Sequence, residues 1–193
     1  MPPWGKITIF LVLALLLAGC RGHKAAEFLW PDLGDPYVQT TNEWTRKDSL
    51  HSGLDTEIIA RATYKSPEWM QAYIKKRAEV YGLTSDEKVQ LRQNLEDSLE
   101  HETRFFLALA KGHKARGSLK FDDPLWSIFL LHEGRKIYPL EIRESREPLA
   151  KLESFYPYVN RWQDHYVLRF PPVNGDSIDL VMSGPLGRVE LNW

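Results

Sequence analysis

Residues 57–87 read EIIARATYKSPEWMQAYIKKRAEVYGLTSDE, and the change of period inside this stretch decides the fold class. From Glu57 to Tyr64 the residues alternate. Ile58, Ala60, Ala62 and Tyr64 fall on one face, and Glu57, Ile59, Arg61 and Thr63 on the other. A period of two predicts a half-buried strand. Ser66-Pro67-Glu68 then starts a helix: Ser66 caps free N–H groups, Pro67 fits the first turn, and Glu68 suits the positive end of the dipole. Trp69, Met70, Tyr73, Ile74, Val80 and Tyr81 form its apolar stripe, which Gly82 closes. Thr84 and Glu87 have capping-box spacing, so a second helix follows at once. Its stripe is Leu91, Leu95, Leu99, Phe106 and Leu109. The short link predicts an antiparallel hairpin over about residues 67–110. The second helix would be about 39 Å long against about 23 Å for the first. The overhanging Phe105, Phe106 and Leu109 then need a sheet to cover them.

Downstream the period returns to two. Leu125 to Leu131 is apolar on both faces apart from Ser127, which suits a central strand, and Glu133-Gly134-Arg135 makes a tight turn. Ile137 to Arg143 alternates, with Tyr138, Leu140 and Ile142 inward and Pro139 marking an edge or bulge. Tyr166, Leu168 and Phe170, then Ile178, Leu180 and Met182, then Val189, Leu191 and Trp193 give three further strand faces. The expectation is an α+β fold: a small antiparallel, immunoglobulin-like β-sandwich of about six strands, with the hairpin inserted. The domain should span 54–193, its β region about 124–193.

The N-terminus supplies an address. Lys6 precedes an apolar run from Ile7 to Ala18, broken only by Thr8 and ending in Leu17-Ala18-Gly19-Cys20. The run suits a signal h-region and is shorter than the roughly 20 residues of a transmembrane helix. Leu17-Ala18-Gly19-Cys20 resembles the lipobox of bacterial lipoproteins. The resemblance covers only these residues. It implies residues 1–19 as a signal peptide and a diacylglyceryl thioether and acylated amino terminus on Cys20. Arg21, in place of the aspartate typical of inner-membrane retention, implies the outer membrane, facing the periplasm, in a Gram-negative cell. Several acyl chains on one residue anchor stably. Residues 20–53, with Pro31, Gly34, Pro36 and Gly53, read as a tether. Phe28, Leu29, Trp30, Tyr37 and Trp44 within it would pack on the domain or sit at the membrane interface.

The first twenty residues hold one of the 25 basic residues and none of the 26 acidic ones, so the mature chain carries 24 against 26. That balance gives no footprint for nucleic acid. With Cys20 the only cysteine, no internal disulfide is available. No nucleophile elbow, phosphate loop or zinc-protease helix is present, and no cofactor or metal is expected.

Four features remain as candidates. His101 and Asp97 stand four apart on a helix, able to share a cation or simply to form a solvated pair. Glu102 interrupts an apolar stripe, as a stripe-edge residue that reaches water or pairs with a base, or as a buried functional carboxylate. Lys111, Lys114 and Arg116 form a basic loop able to meet lipid phosphates or anionic sugars, or simply a charged loop. Tyr156, Tyr158 and Trp162 sit in an aromatic run that stacks on sugars or fills the core. The leading expectation is a non-catalytic, membrane-anchored envelope lipoprotein, a structural or interaction module with an envelope protein or glycan partner. A glycan- or lipid-binding lipoprotein is the alternative, and a hydrolase the third reading, favoured by a cleft that gathers Glu102.

Overall fold

Two antiparallel sheets share one apolar core, and helices cover the far face of the larger sheet. The computed structural model describes residues 34–193, apart from 116, 118, 123, 124 and 174–176. Pro36–Trp193 forms one compact unit. The signal-like segment, Cys20, Phe28, Leu29, Trp30 and Arg116 lie outside the described residues.

The elements run α1 (Pro36–Glu43), β1 (Thr45–Ser52), β2 (Asp55–Tyr64), α2 (Pro67–Tyr81), α3 (Ser85–His101) and β3 (Thr103–Lys111). Then come β4 (Ser127–His132), β5 (Arg135–Ile137), β6 (Glu141–Glu144), α4 (Leu149–Phe155), β7 (Asp164–Phe170), β8 (Asp179–Gly184) and β9 (Gly187–Asn192). One sheet has the order β1-β2-β3-β7-β6, the other β5-β4-β8-β9. The shared core includes Ile58, Ala60 and Ala62 of β2, Phe105, Leu107 and Leu109 of β3, and Leu180, Met182, Val189 and Leu191 opposite. The edges β1 and β9 are bridged. The Arg46 Nε donates to the Asn192 carbonyl (2.6 Å), and the Glu190 N–H donates to the Asp48 carboxylate (2.8 Å). Edges tied in this way do not offer a free ladder.

The helices cover the outer face of the larger sheet through a second cluster of Tyr37, Trp69, Met70, Phe106, Ala108, Leu152, Phe155 and Tyr156. Helix α2 begins as its sequence predicts, with the Ser66 side chain accepting from the Trp69 N–H, and ends at Gly82 with φ +62°. Helix α3 has the complete Thr84–Glu87 capping box. The pair is inserted between β2 and β3, which are adjacent and antiparallel.

Several expectations give way. The second helix stops at His101, and Phe105, Phe106 and Leu109 belong to a strand. Residues 103–111 are buried on both faces, so they carry neither period, and their apolar positions happen to continue the helical stripe. Helix α3 has no buried residue. It is α2, through Trp69, Met70 and Ile74, that docks the hairpin. The tether does not extend to 53, because α1 and β1 are part of the domain. Strand β1, TRKDSLHS, sits at a sheet edge with few apolar residues, so no alternation betrays it. Tyr37 is buried, its hydroxyl donating to the Phe155 carbonyl (2.8 Å), and Trp44 packs edge-on against Tyr64. Residues 137–143 are two strands in different sheets. Tyr138-Pro139-Leu140 crosses between them, which leaves Tyr138 and Leu140 exposed. Glu133 and Gly134, with φ +49° and +74°, form the tight turn joining β4 to β5.

Candidate functional site

A charged row runs from the residue after β2 across three strands, β3, β7 and β6, at one end of the larger sheet, on its helix-covered face. The Lys65 N–H donates to the Arg104 carbonyl (3.0 Å), Arg104 lies opposite Arg169, and Arg169 lies opposite Glu141. Neighbouring strands stand about 4.8 Å apart, so three cations occupy consecutive positions. Like charges directly opposite one another destabilise a sheet unless something neutralises them.

Glu102 does so. It sits at the C-terminal end of α3 with extended backbone, and its side chain is 6% exposed. One carboxylate oxygen accepts from Arg104 and the other from Arg169. Arg169 also reaches Glu141 (3.1 Å), and Glu141 reaches Arg143 (3.4 Å). The result is an alternating chain Arg104–Glu102–Arg169–Glu141–Arg143. The Glu102 reading as a residue paired with basic neighbours holds, but the carboxylate is buried rather than at a wet stripe edge.

This row floors a cleft of about 590 Å³. Helix α2 contributes Tyr73 and Arg77 to its walls, and α4 contributes Lys151, Leu152 and Phe155. Six cations line it (Lys65, Arg77, Arg104, Arg143, Lys151 and Arg169) against two carboxylates, Glu141 and Glu147. Even with Glu102 counted, cations remain in excess. The Arg104 Nε is buried with no hydrogen-bond partner among the described residues. Burial, then the Arg169 guanidinium, pulls Arg104 below its usual value. Among the described residues no carboxylate lies within ion-pair distance of the Lys65 amine, which instead stands 6.0 Å from the Trp69 ring centre. Burial, then Arg104 and Arg143, lower Lys65 to about 8. A concave, partly desolvated site with surplus positive charge and an unfilled donor attracts an anion.

The residues singled out from sequence do not converge. Lys114 turns to the buried Glu57 (3.3 Å) and to Ser52 (3.1 Å). Lys111 pairs with Asp164. Those two lysines of the expected basic patch are thus neutralised by carboxylates distant in sequence. Tyr156 is 6% exposed, stacked on Trp69 (5.7 Å) and Phe106 (3.8 Å), and lines the cleft. Tyr158 is half-buried and bonded to the Thr63 hydroxyl (2.6 Å). Burial raises both phenols above their usual value. Trp162 alone is exposed, at 79%, on a turn fixed by Asn160 and Gln163 side chains. It shares an open 420 Å³ hollow with Lys111, Glu144 and Asp164. His101 and Asp97 form the expected exposed pair.

A larger groove of about 1060 Å³ separates α2 from α3, lined by Met70, Ile74, Ala78, Leu95 and Leu99. It presents methylenes and a rim of mixed charge, with no convergent polar group, so it ranks below the cationic cleft as a recognition site. Among the described residues no helix is long and apolar enough to cross a membrane, and no three His, Cys, Asp or Glu side chains are grouped to hold a metal. Comparison with protein-family models, with curated proteins and with solved structures finds no match.

Proposed function

We propose that this chain is an envelope lipoprotein, anchored through acyl chains on Cys20, whose domain is a non-catalytic binding module for an anionic ligand. The supporting observation is the cleft: six cations, too few carboxylates, and a buried Arg104 Nε left without a partner. Leu17-Ala18-Gly19-Cys20 supports the anchor, and with Arg21 it favours the outer membrane facing the periplasm. The immunoglobulin-like description of the domain belongs to this proposal as well, supported by two antiparallel sheets around one core.

Glu102 is gathered into this region, as a hydrolase would require, but both its oxygens are taken by guanidiniums and it does not line the cleft. Its role is that of a counter-charge. A second reading, saccharide binding, draws on Trp162 beside Lys111, Glu144 and Asp164, because an exposed indole on a fixed turn offers a stacking face.

Calorimetry with inorganic phosphate tests the first reading. Binding should weaken about tenfold in Arg143→Gln, the loss of one charge-assisted hydrogen bond. Arg143 is 54% exposed, so its replacement spares the fold. Absence of phosphate binding overturns the cleft assignment. For the anchor, Cys20→Ser should abolish fatty-acid labelling, and unchanged labelling refutes it.

A further inference from the structure

We propose that Lys65 is a covalent capture site: its amine condenses with the carbonyl of a small aldehyde or ketone that also bears a phosphate or carboxylate held by the guanidiniums of the cleft. This rests on the anionic-ligand reading above and adds what the ligand's other end does. Three observations carry it. Lys65 follows β2 directly and faces the cleft, half-buried, at the start of the charged row. Its neighbours along that row are Arg104 and then Arg169, with Arg143 nearby on β6, whereas the cleft carboxylates Glu141 and Glu147 are engaged by Arg169, Arg143 and Lys151. Among the described residues no carboxylate lies within ion-pair distance of its ammonium form, and the contact that favours the charge is the Trp69 ring at 6.0 Å.

A partly desolvated amine beside other cations is the arrangement that supplies a nucleophilic lysine near neutral pH. With Lys65 at about 8, about a tenth of the amine is free at pH 7. A lysine with an ordinary value would be free at only about one part in a few thousand. The guanidiniums that favour the free amine are also those that would seat the ligand's anion, so one cluster performs both tasks. In the reaction, the Nζ lone pair forms a bond to the carbonyl carbon as the carbon–oxygen π bond opens, and one proton passes from nitrogen to that oxygen to give a neutral carbinolamine. Loss of water leaves an imine. No oxidant or reductant takes part, and the step reverses when the ligand leaves.

The probes are pyridoxal phosphate and glyoxylate, which carry an aldehyde with a phosphate or a carboxylate, and uncharged pyridoxal for comparison. The full chain is treated at pH 8 and the imine is fixed with borohydride, which delivers hydride to carbon while nitrogen takes a proton from water. Labelled lysines are mapped by peptide mass spectrometry. The expected result is preferential labelling of Lys65, about tenfold weaker with pyridoxal and suppressed by inorganic phosphate. The more effective of the two anionic probes identifies the anion. Lys65→Arg should lose the label while still binding phosphate, which separates the amine's chemistry from its charge. Labelling spread evenly over surface lysines, with phosphate binding intact, overturns the capture proposal alone. Failure of phosphate to bind or to compete overturns the anionic-ligand reading beneath it.

Discussion

Replacing Glu102 with glutamine probes the charged row at its tightest point. The substitution keeps the shape and removes the charge. It leaves Arg104 and Arg169 opposite one another on adjacent strands with no carboxylate between them. Breaking a fully buried pair costs about 3–5 kcal/mol. The Glu102 side chain is 6% exposed, but those of Arg104 and Arg169 are 28% and 40% exposed, so water recovers part of the loss. The expected destabilisation is about 2–4 kcal/mol. For a domain of this size that is a fall in melting temperature of about 10 °C. Urea denaturation gives the free energy, and its slope shows whether unfolding remains two-state. Repeating the melt in phosphate adds a functional readout. A saturating anion stabilises the wild type by about 2.7 kcal/mol at a hundredfold excess over Kd. It should rescue Glu102→Gln by more, because it supplies the missing negative charge. A loss below about 0.5 kcal/mol, with the same phosphate response as wild type, refutes Glu102 as the counter-charge of the row.

Lys65→Met should stabilise the domain at pH 7 by about 1–2 kcal/mol, since a partly desolvated charge gives way to an apolar chain. The folded amine sits at about 8 and the unfolded one at its ordinary 10.5, so the cost of the charge is full below pH 8 and fades as pH rises towards 10.5. The gain must shrink across that window, and an unchanged or lower melting temperature at pH 7 contradicts it. Phe106→Ala should cost about 3–5 kcal/mol by urea titration, because Phe106 is 2% exposed and stacks on Tyr156 at 3.8 Å. A surface-like loss would deny that β3 joins the two layers. Deleting Leu191 to Trp193 should leave the protein insoluble. It removes a buried leucine from β9 and the Trp193 indole that donates to the Trp44 carbonyl (2.8 Å). An unaltered melting temperature would show the terminus to be dispensable.

The parts of this fold legible in the sequence are those whose signal is local. Ser66-Pro67, Thr84–Glu87 and Gly82 form caps within one or two turns of chain, and each is found as read. The strand faces of β2, β7 and β9 alternate because one side meets the shared core. Legibility fails where neighbours distant in sequence decide. Strand β3 is covered on both sides and carries no period, so only Glu102, pinned by Arg104 and Arg169, shows where the helix must end. Strand β1 is polar because it lies at an edge. The cleft was invisible for the same reason. Lys65, Arg104, Arg143 and Arg169 are scattered through the chain and become neighbours only through strand pairing. The oddity of Glu102 within an apolar stretch was its one trace, whereas the contiguous Lys111–Lys114 loop proved to be tied to Asp164 and Glu57.

The central claim, that the charged row is where an anion binds, is tested most directly by a nuclear magnetic resonance titration of the domain with inorganic phosphate. Side-chain signals of Lys65, Arg104, Arg143 and Arg169 should shift together and saturate with one affinity, with the Arg104 Nε–H moving most because it has no partner in the free protein. Shifts centred instead on Lys111 and Lys114, with the row unmoved, would contradict the account and return recognition to the basic loop.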